Sequence, residues 1–322
     1  MLSRVAESIY WMGRQIERAE NHARFLEVTL NLILDQPENL VDPWDPLVRV
    51  TGDEEWFKKK YGLPNQETVV QFLAFDEEYP HSMVTCLRAA RENARGVREK
   101  LSSEAFEQIN EFYHFVNDAS CNESLDRNSQ FFDEIRKQTL LWSGILTSTM
   151  AQDTGWHFAN LGRMLERADK TSRILDVKYF NLLLSVEHVG TAIDDLQWSA
   201  LLLAISGFEA YRRDHHSIDL NNVVRFFLFH RAFPRSVLHC VASAGWSLDE
   251  IDKASLQGTQ RASSKQVDAL KHRLSFTEVE EVLAGGMHEF VDGLQQELNA
   301  IGDTLGQDYF QAAATTSVTL TD

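Results

Sequence analysis

Residues 9–28 read IYWMGRQIERAENHARFLEV, and the chain returns to this pattern at 161–177, LGRMLERADKTSRILDV. At an offset of 149 residues, Gly13, Arg14, Glu17, Arg18, Ala19, Arg24, Leu26 and Val28 meet Gly162, Arg163, Glu166, Arg167, Ala168, Arg173, Leu175 and Val177. Glu20 meets Asp169, and Ile16 meets Leu165. Polar positions repeat as faithfully as apolar ones, so more than core packing is being held. Around the first copy Leu2, Val5, Ile9, Met12, Ile16, Ala19, Ala23, Leu26, Leu30 and Ile33 follow alternating three- and four-residue steps. That spacing predicts one continuous helix over 2–33 with a coiled-coil-like seam. The small side chains of Ala19 and Ala23 predict the close approach of a second helix. The later copy predicts a helix from Thr154 to about Leu184, with Leu161, Leu165, Ala168, Ser172, Leu175, Tyr179 and Leu182 on its seam.

A second repeat lies between the copies and beyond them. VVQFLAFDEEYPHSMVTC (69–86) matches VVRFFLFHRAFPRSVLHC (223–240) at an offset of 154. Val69/Val223, Phe72/Phe226, Phe75/Phe229, Pro80/Pro234, Ser82/Ser236 and Cys86/Cys240 are identical pairs. Two segments in one order at nearly equal offsets predict a tandem duplication packed with pseudo-twofold symmetry. Two copies are too few for a solenoid. The expected fold is all-α, a helical bundle forming one domain over 1–322 with internal repeats at about 1–152 and 153–312.

Further helices are expected at about 66–75, 82–101, 104–117, 129–152, 194–212, 220–230, 235–245 and 286–312, with a short piece at Trp44–Val50. Ser247-Leu-Asp-Glu250 and Thr277-Glu-Val-Glu280 have the capping-box form and predict two more helix starts. The tail after Phe310 is expected to fray. No strand-like alternation of useful length occurs.

Composition narrows the function classes. A net charge of −17 argues against nucleic acid, whose phosphates demand clustered Lys and Arg. The three cysteines, Cys86, Cys121 and Cys240, form neither a disulfide framework nor a CxxC metal motif, and predict a reducing, cytoplasmic setting. MLSRVAESIYW lacks the apolar core of a signal peptide, and no run of about 18 apolar residues suggests a membrane span.

The motifs GRQIERAENHAR, CLRAARENARGVRE, LGRMLERADKTSRILDV and FPRSVLHC, in this order, resemble the bacterial alpha-E family, a domain of unknown function, over roughly residues 1–312. The resemblance implies an all-helical protein. It also implies genomic company with a circularly permuted ATP-grasp protein and often a transglutaminase-like protein, and hence a role in ATP-dependent peptide synthesis or modification. The chain departs at Tyr79-Pro80, where the family carries Asn before Pro.

The candidate site is the repeated polar set: Arg14, Glu17, Arg18 and Glu20 with Arg163, Glu166, Arg167 and Asp169. Glu20–Arg24 and Asp169–Arg173 are acid-to-base pairs at i,i+4, worth about 0.3–0.5 kcal/mol each if solvated. A ladder that weak tolerates Lys, yet the three repeated basic positions are Arg in both copies. Arg offers a planar fork for bidentate contact, which points to semi-buried pairs between helices or to an anion site. Arg91, Glu92 and Asn93 belong to the first half only, Arg91 and Glu92 meeting Gly245 and Trp246, so Arg91 is expected to pair with Glu20 across a helix interface, either as a structural ion pair or as part of an asymmetric site on the side of Arg91, Glu92 and Asn93.

Other chemistry is weaker. Glu111 and His114 have the ExxH spacing of di-iron bundles, but the second half offers no matching pair, and no metal is expected. Asp214-His215-His216 reads as a solvated loop, and Cys86 and Cys240 as core residues. No Gly-rich phosphate loop, GxSxG or HExxH is present, and no cofactor is implied. Three readings remain open: a binding or accessory protein acting with an ATP-grasp-type ligase on a peptide or small molecule, an enzyme using the Glu and Arg clusters, and a structural dimerisation module.

Overall fold

A computed structural model of the chain describes residues 1–35, 44–121, 128–184, 191–255 and 260–311. Every regular element among them is helical. The first half holds α1 (Ser3–Asp35), α2 (Trp44–Arg49), α3 (Glu54–Tyr61), α4 (Gln66–Val70), α5 (Met83–Gly96), α6 (Ser103–Cys121) and α7 (Ser129–Thr149). The second holds α8 (Thr154–Leu184), α9 (Ala192–Ala204), α10 (Phe208–Asp214), α11 (Leu220–Phe229), α12 (Val237–Lys253), α13 (Ala262–Phe276), α14 (Val279–Gly285) and α15 (Met287–Leu305). α4 and α15 each run into a π turn, Gln71–Phe75 and Gly306–Phe310.

α1 and α8 cross at the centre, and the sequence explains how closely. A Cβ on Gly13 would overlap the carbonyl oxygen of Ala159 and stand 3.2 Å from its carbon. A Cβ on Gly162 would likewise overlap the carbonyl of Tyr10, 3.1 Å from its carbon. The two glycines therefore let the backbones touch, and each sits against the residue three before the other. α1 packs on α5, α7 and α9, while α8 packs on α12, α15 and α2. The seam residues Ile9, Met12, Ile16, Ala19, Ala23 and Leu26 on α1 and Leu161, Leu165, Ala168 and Leu175 on α8 are buried in one continuous apolar core. Leu2 precedes α1 and is exposed. The side chains of Val177, Tyr179 and Leu182, and the tail after Gln311, lie outside the described residues.

Local signals set the supporting helices. Ser82 caps α5 by accepting from the Thr85 amide, and Ser236 caps α12 by accepting from the His239 amide. Each serine hydroxyl also donates to a carbonyl six residues upstream, Asp76 and His230.

Four expectations need correction. Ser247 does not start a helix: α12 continues through it, and its buried hydroxyl accepts from Asn160 at 2.9 Å. Thr277 closes α13, its hydroxyl donating to the Arg273 carbonyl, and α14 begins without a side-chain cap. The helix expected over 194–212 is broken at Ile205-Ser206-Gly207, where Ser206 takes φ 54°. The helix expected to run to 312 stops being α-helical at Leu305.

Candidate functional site

The repeated polar residues converge at the α1–α8 crossing in two clusters. In the first, Glu166 of α8 accepts from α1: Arg18 Nε at 2.6 Å, Arg18 Nη2 at 2.9 Å and Arg14 Nε at 2.8 Å. In the second, Glu17 of α1 accepts from Arg167 Nε at 2.8 Å and Nη2 at 2.7 Å. The two bidentate pairs exchange under the 149-residue offset. Each glutamate is fully buried and each arginine fork reaches across the helix interface.

The next turn adds a second pair to each cluster. Arg24 binds Glu20 Oε1 at 2.6 and 2.8 Å, and Arg173 binds Asp169 at 3.0 Å. Arg24 Nη1 also donates to the Ala204 carbonyl, as Arg173 Nη1 does to that of Val50. These arginines therefore fasten α1 and α8 to the end of α9 and the end of α2, at positions 154 apart.

The remaining cation differs between clusters. Arg235, just before α12, reaches Glu17 at 3.1 Å and also Glu20. Its counterpart at the 154 offset is His81, which meets Arg18 Nη1 through Nδ1 at 2.9 Å. The missing charge is supplied by Lys170, 3.0 Å from Asp169 and 3.6 Å from Glu166, where α1 carries the neutral Asn21. One cluster thus uses Asn21 with Arg235 and the other Lys170 with His81.

Arg14 and Arg163 also part company. Arg14 stacks on Trp11, 5.2 Å from the ring centre, and pairs with Glu166. Arg163 donates to Asn160 and Ser143 and meets no carboxylate among the described residues. Its buried Nε and the buried Glu20 Oε2 have no hydrogen-bond partner there.

These carboxylates are locked ionised. Burial alone would push Glu17, Glu20 and Glu166 up, but the guanidinia around them outweigh it. Arg235 and Arg24 hold Glu20 down to about 2. Burial brings Arg163 and Arg24 down to about 10, which leaves both as cations at neutral pH. None of the four repeated acids is poised near neutrality for proton transfer. Burial pushes the Cys86 and Cys240 thiols up to about 12, which makes them inert core groups.

The first-half triplet is not part of this arrangement. Arg91 lies on the face of α5 toward α6, donating to Asn110 at 2.7 Å and resting on Tyr113, 5.1 Å from the ring centre. Its carboxylate is Glu92 at 3.5 Å, itself half exposed and shared with Arg95. Asn93 also lies on α5, away from the clasp's hydrogen bonds. Glu20 has Arg24 and Arg235 instead, so the expected Arg91–Glu20 pair is absent. Glu111 and His114 are exposed on α6, and no group of three His, Cys, Asp or Glu among the described residues could hold a metal. Sequence reasoning missed Arg235, Lys170 and His81. Their signal was the second repeat itself, where Arg235 faces His81, read together with Asn21 facing Lys170.

Fold and site together define a class: an all-helical protein whose two long helices are clasped by reciprocal Glu-Arg dipeptides. The sequence contains two such dipeptides, Glu17-Arg18 and Glu166-Arg167. The chain belongs to the Alpha-E family, described as a predicted alpha-helical domain with a conserved ER motif and matched over residues 1–310. It is similar to the uncharacterized proteins Mb2597 of Mycobacterium bovis and Rv2567 and MT2643 of Mycobacterium tuberculosis. Each is 25% identical over 329 residues, covering 94% of this chain. The chain spans only 36% of the length of these relatives. No solved structure matches it. No helix among the described residues is long and apolar enough to cross a membrane.

Proposed function

We propose that the chain is a helical binding and accessory protein that works with an ATP-grasp-type ligase in the synthesis or modification of a peptide, in the cytoplasm where ATP is at hand. The observation that carries this reading is the length of the relatives. They hold 94% of this chain within proteins of which it forms 36%, so the module operates joined to other chain in those proteins. The clasp supports the same reading. Its acids are consumed by bidentate pairs, which suits a rigid frame better than acid–base chemistry. The exchange of contacts under the two offsets supports descent by duplication, with the two helices as the repeated unit. A transglutaminase-like protein is a second partner in this proposal.

The test is co-purification. The untagged chain, expressed with a tagged ATP-grasp protein encoded beside it, is expected to be retained on the tag, and ATP is expected to change the amount retained. Free passage through the column with and without ATP would remove the ligase reading.

A further inference from the structure

A cavity of about 350 Å³ opens beside the clasp, among residues of α1, α7, α9 and α10. It is at the small end of the range for small-molecule sites. One wall is apolar, made by Val28, Leu196, Ala200 and Leu203. Leu203 is 47% exposed, an aliphatic side chain left at the cavity's edge without cover.

Glu27, next to Val28 on α1, also lines the cavity. Its side chain is 14% exposed, and its nearest cation is Arg136 at 3.6 Å. Arg136 is already committed to Asp133. Burial pushes the Glu27 carboxyl above its ordinary range, with Arg136 opposing, Asp133 adding to the rise, and Arg24 and Lys137 opposing more weakly. Glu27 is thus a carboxylate at a cavity wall with an incomplete counter-charge. The counterpart of Glu27 at the 149 offset is Asp176, which is closed off by His288 at 3.1 Å and Gln295 at 3.4 Å. Glu209 adds a second, exposed acid to the rim.

Arg24 also lines the cavity, but both sides of its fork are used, by Glu20 and by the α9–α10 turn. Ser206 in that turn is the sole non-glycine residue at positive φ among those described, and its hydroxyl accepts from Arg24 at 2.7 Å. The matching turn in the first half places Gly52 there. Ser206 thus ties the α9–α10 turn to Arg24 at the cavity's edge, at a φ that favours glycine. The two arginines of the lining are engaged elsewhere, Arg24 by Glu20 and the α9–α10 turn and Arg136 by Asp133, so the carboxylate with least counter-charge beside the aliphatic side chains is Glu27, a partner for an amine.

We propose that this cavity binds a small primary ammonium carrying a branched aliphatic group, the chemistry of a peptide's amino end, with the ammonium on Glu27 and the aliphatic group on Val28, Ala200 and Leu203. It needs no ligase and no ATP, so it stands or falls apart from the partner reading.

Titration calorimetry of the full chain with leucinamide tests it. Saturable one-to-one binding is expected at neutral pH. N-acetylleucinamide, which has the same side chain without the cation, is expected to show none. Glu27→Gln is expected to weaken leucinamide about tenfold or more, the loss of one charge-assisted contact. Leu203→Asp, at a half-exposed position that leaves the core untouched, is the second variant if Glu27→Gln fails to fold, and it is expected to weaken glycinamide less than leucinamide. Absence of saturable leucinamide binding overturns the proposal. So does equal binding of the acetylated probe, or leucinamide affinity unchanged in the folded variants.

Discussion

Gly13→Ala is the sharpest probe of the crossing. In an exposed helix this change stabilises by about 1 kcal/mol, because Ala is the better helix former. At Gly13 the new methyl overlaps the Ala159 carbonyl oxygen, which belongs to helical backbone and cannot swing aside as a side chain can. The helices must separate by several tenths of an ångström. Overpacking of this kind costs roughly 1–3 kcal/mol. Separation also lengthens the Arg18–Glu166 and Arg167–Glu17 pairs one turn away. The net expectation is a loss of about 1–3 kcal/mol, or several degrees in melting temperature for a protein of this size. Gly162→Ala meets Tyr10 in the same way and is expected to cost as much. Because one opening of the crossing accommodates both methyls, the double variant should lose less than the sum of the singles. Urea unfolding of the four proteins decides the matter. A Gly13→Ala variant more stable than the parent, or strict additivity, would refute the close-contact argument.

Three further outcomes are expected. Arg235→His removes a cation from Glu17 and Glu20 and should destabilise strongly; adding Asn21→Lys rebuilds the Lys170–His81 arrangement and should recover part of the loss, read by thermal melts of both variants. Burial, with help from Lys170 and Arg18, holds His22 well below its ordinary 6.5, so the unfolded chain takes up a proton near that pH while the folded chain does not. Stability is therefore full above 6.5 and falls on acidification by up to about 1.4 kcal/mol per pH unit for this one group. His22→Gln should flatten that slope between pH 6.5 and 5 in denaturant titrations, well above the range from 4.5 down to about 2 in which Glu20 loses its share. Purified chain should show no magnesium-dependent ATP turnover, since it has no glycine-rich phosphate cradle; turnover abolished by a point substitution in this chain would contradict that.

The frame was legible because polar residues recurred at a fixed offset, which core packing alone does not demand. Gly13, Glu17, Arg18 and their partners could be placed in one region without coordinates. The identity of Glu20's second partner could not. Arg235 lies 215 residues away, in a turn before α12, and only the fold brings it within reach. Arg91 looked equivalent from its place beside an apolar seam, but its face of α5 points at α6, where Asn110 and Tyr113 engage it. Ser247 misled because a Ser-x-x-Glu string is also what a mid-helix serine looks like when its hydroxyl is taken by a neighbouring helix. The break at Ser206 went unseen since it depends on tertiary packing. A Cβ on Gly207 would stand 2.8 Å from the Phe226 ring and 3.0 Å from that of Phe233, so the chain turns where only glycine fits.

The reciprocal clasp is tested most directly by two double-mutant cycles run in parallel, Arg18→Gln with Glu166→Gln and Arg167→Gln with Glu17→Gln, followed by equilibrium unfolding. Glu166→Gln and Glu17→Gln each remove the carboxylate that a buried arginine fork binds and are expected to cost roughly 3–5 kcal/mol, whereas Arg18→Gln and Arg167→Gln leave Glu166 on Arg14 and Glu17 on Arg235 and should cost somewhat less. Each double variant should cost clearly less than the sum of its singles, and the two cycles should return similar coupling. Singles that cost under about 1 kcal/mol and add without coupling, as exposed ion pairs do, would contradict the clasp.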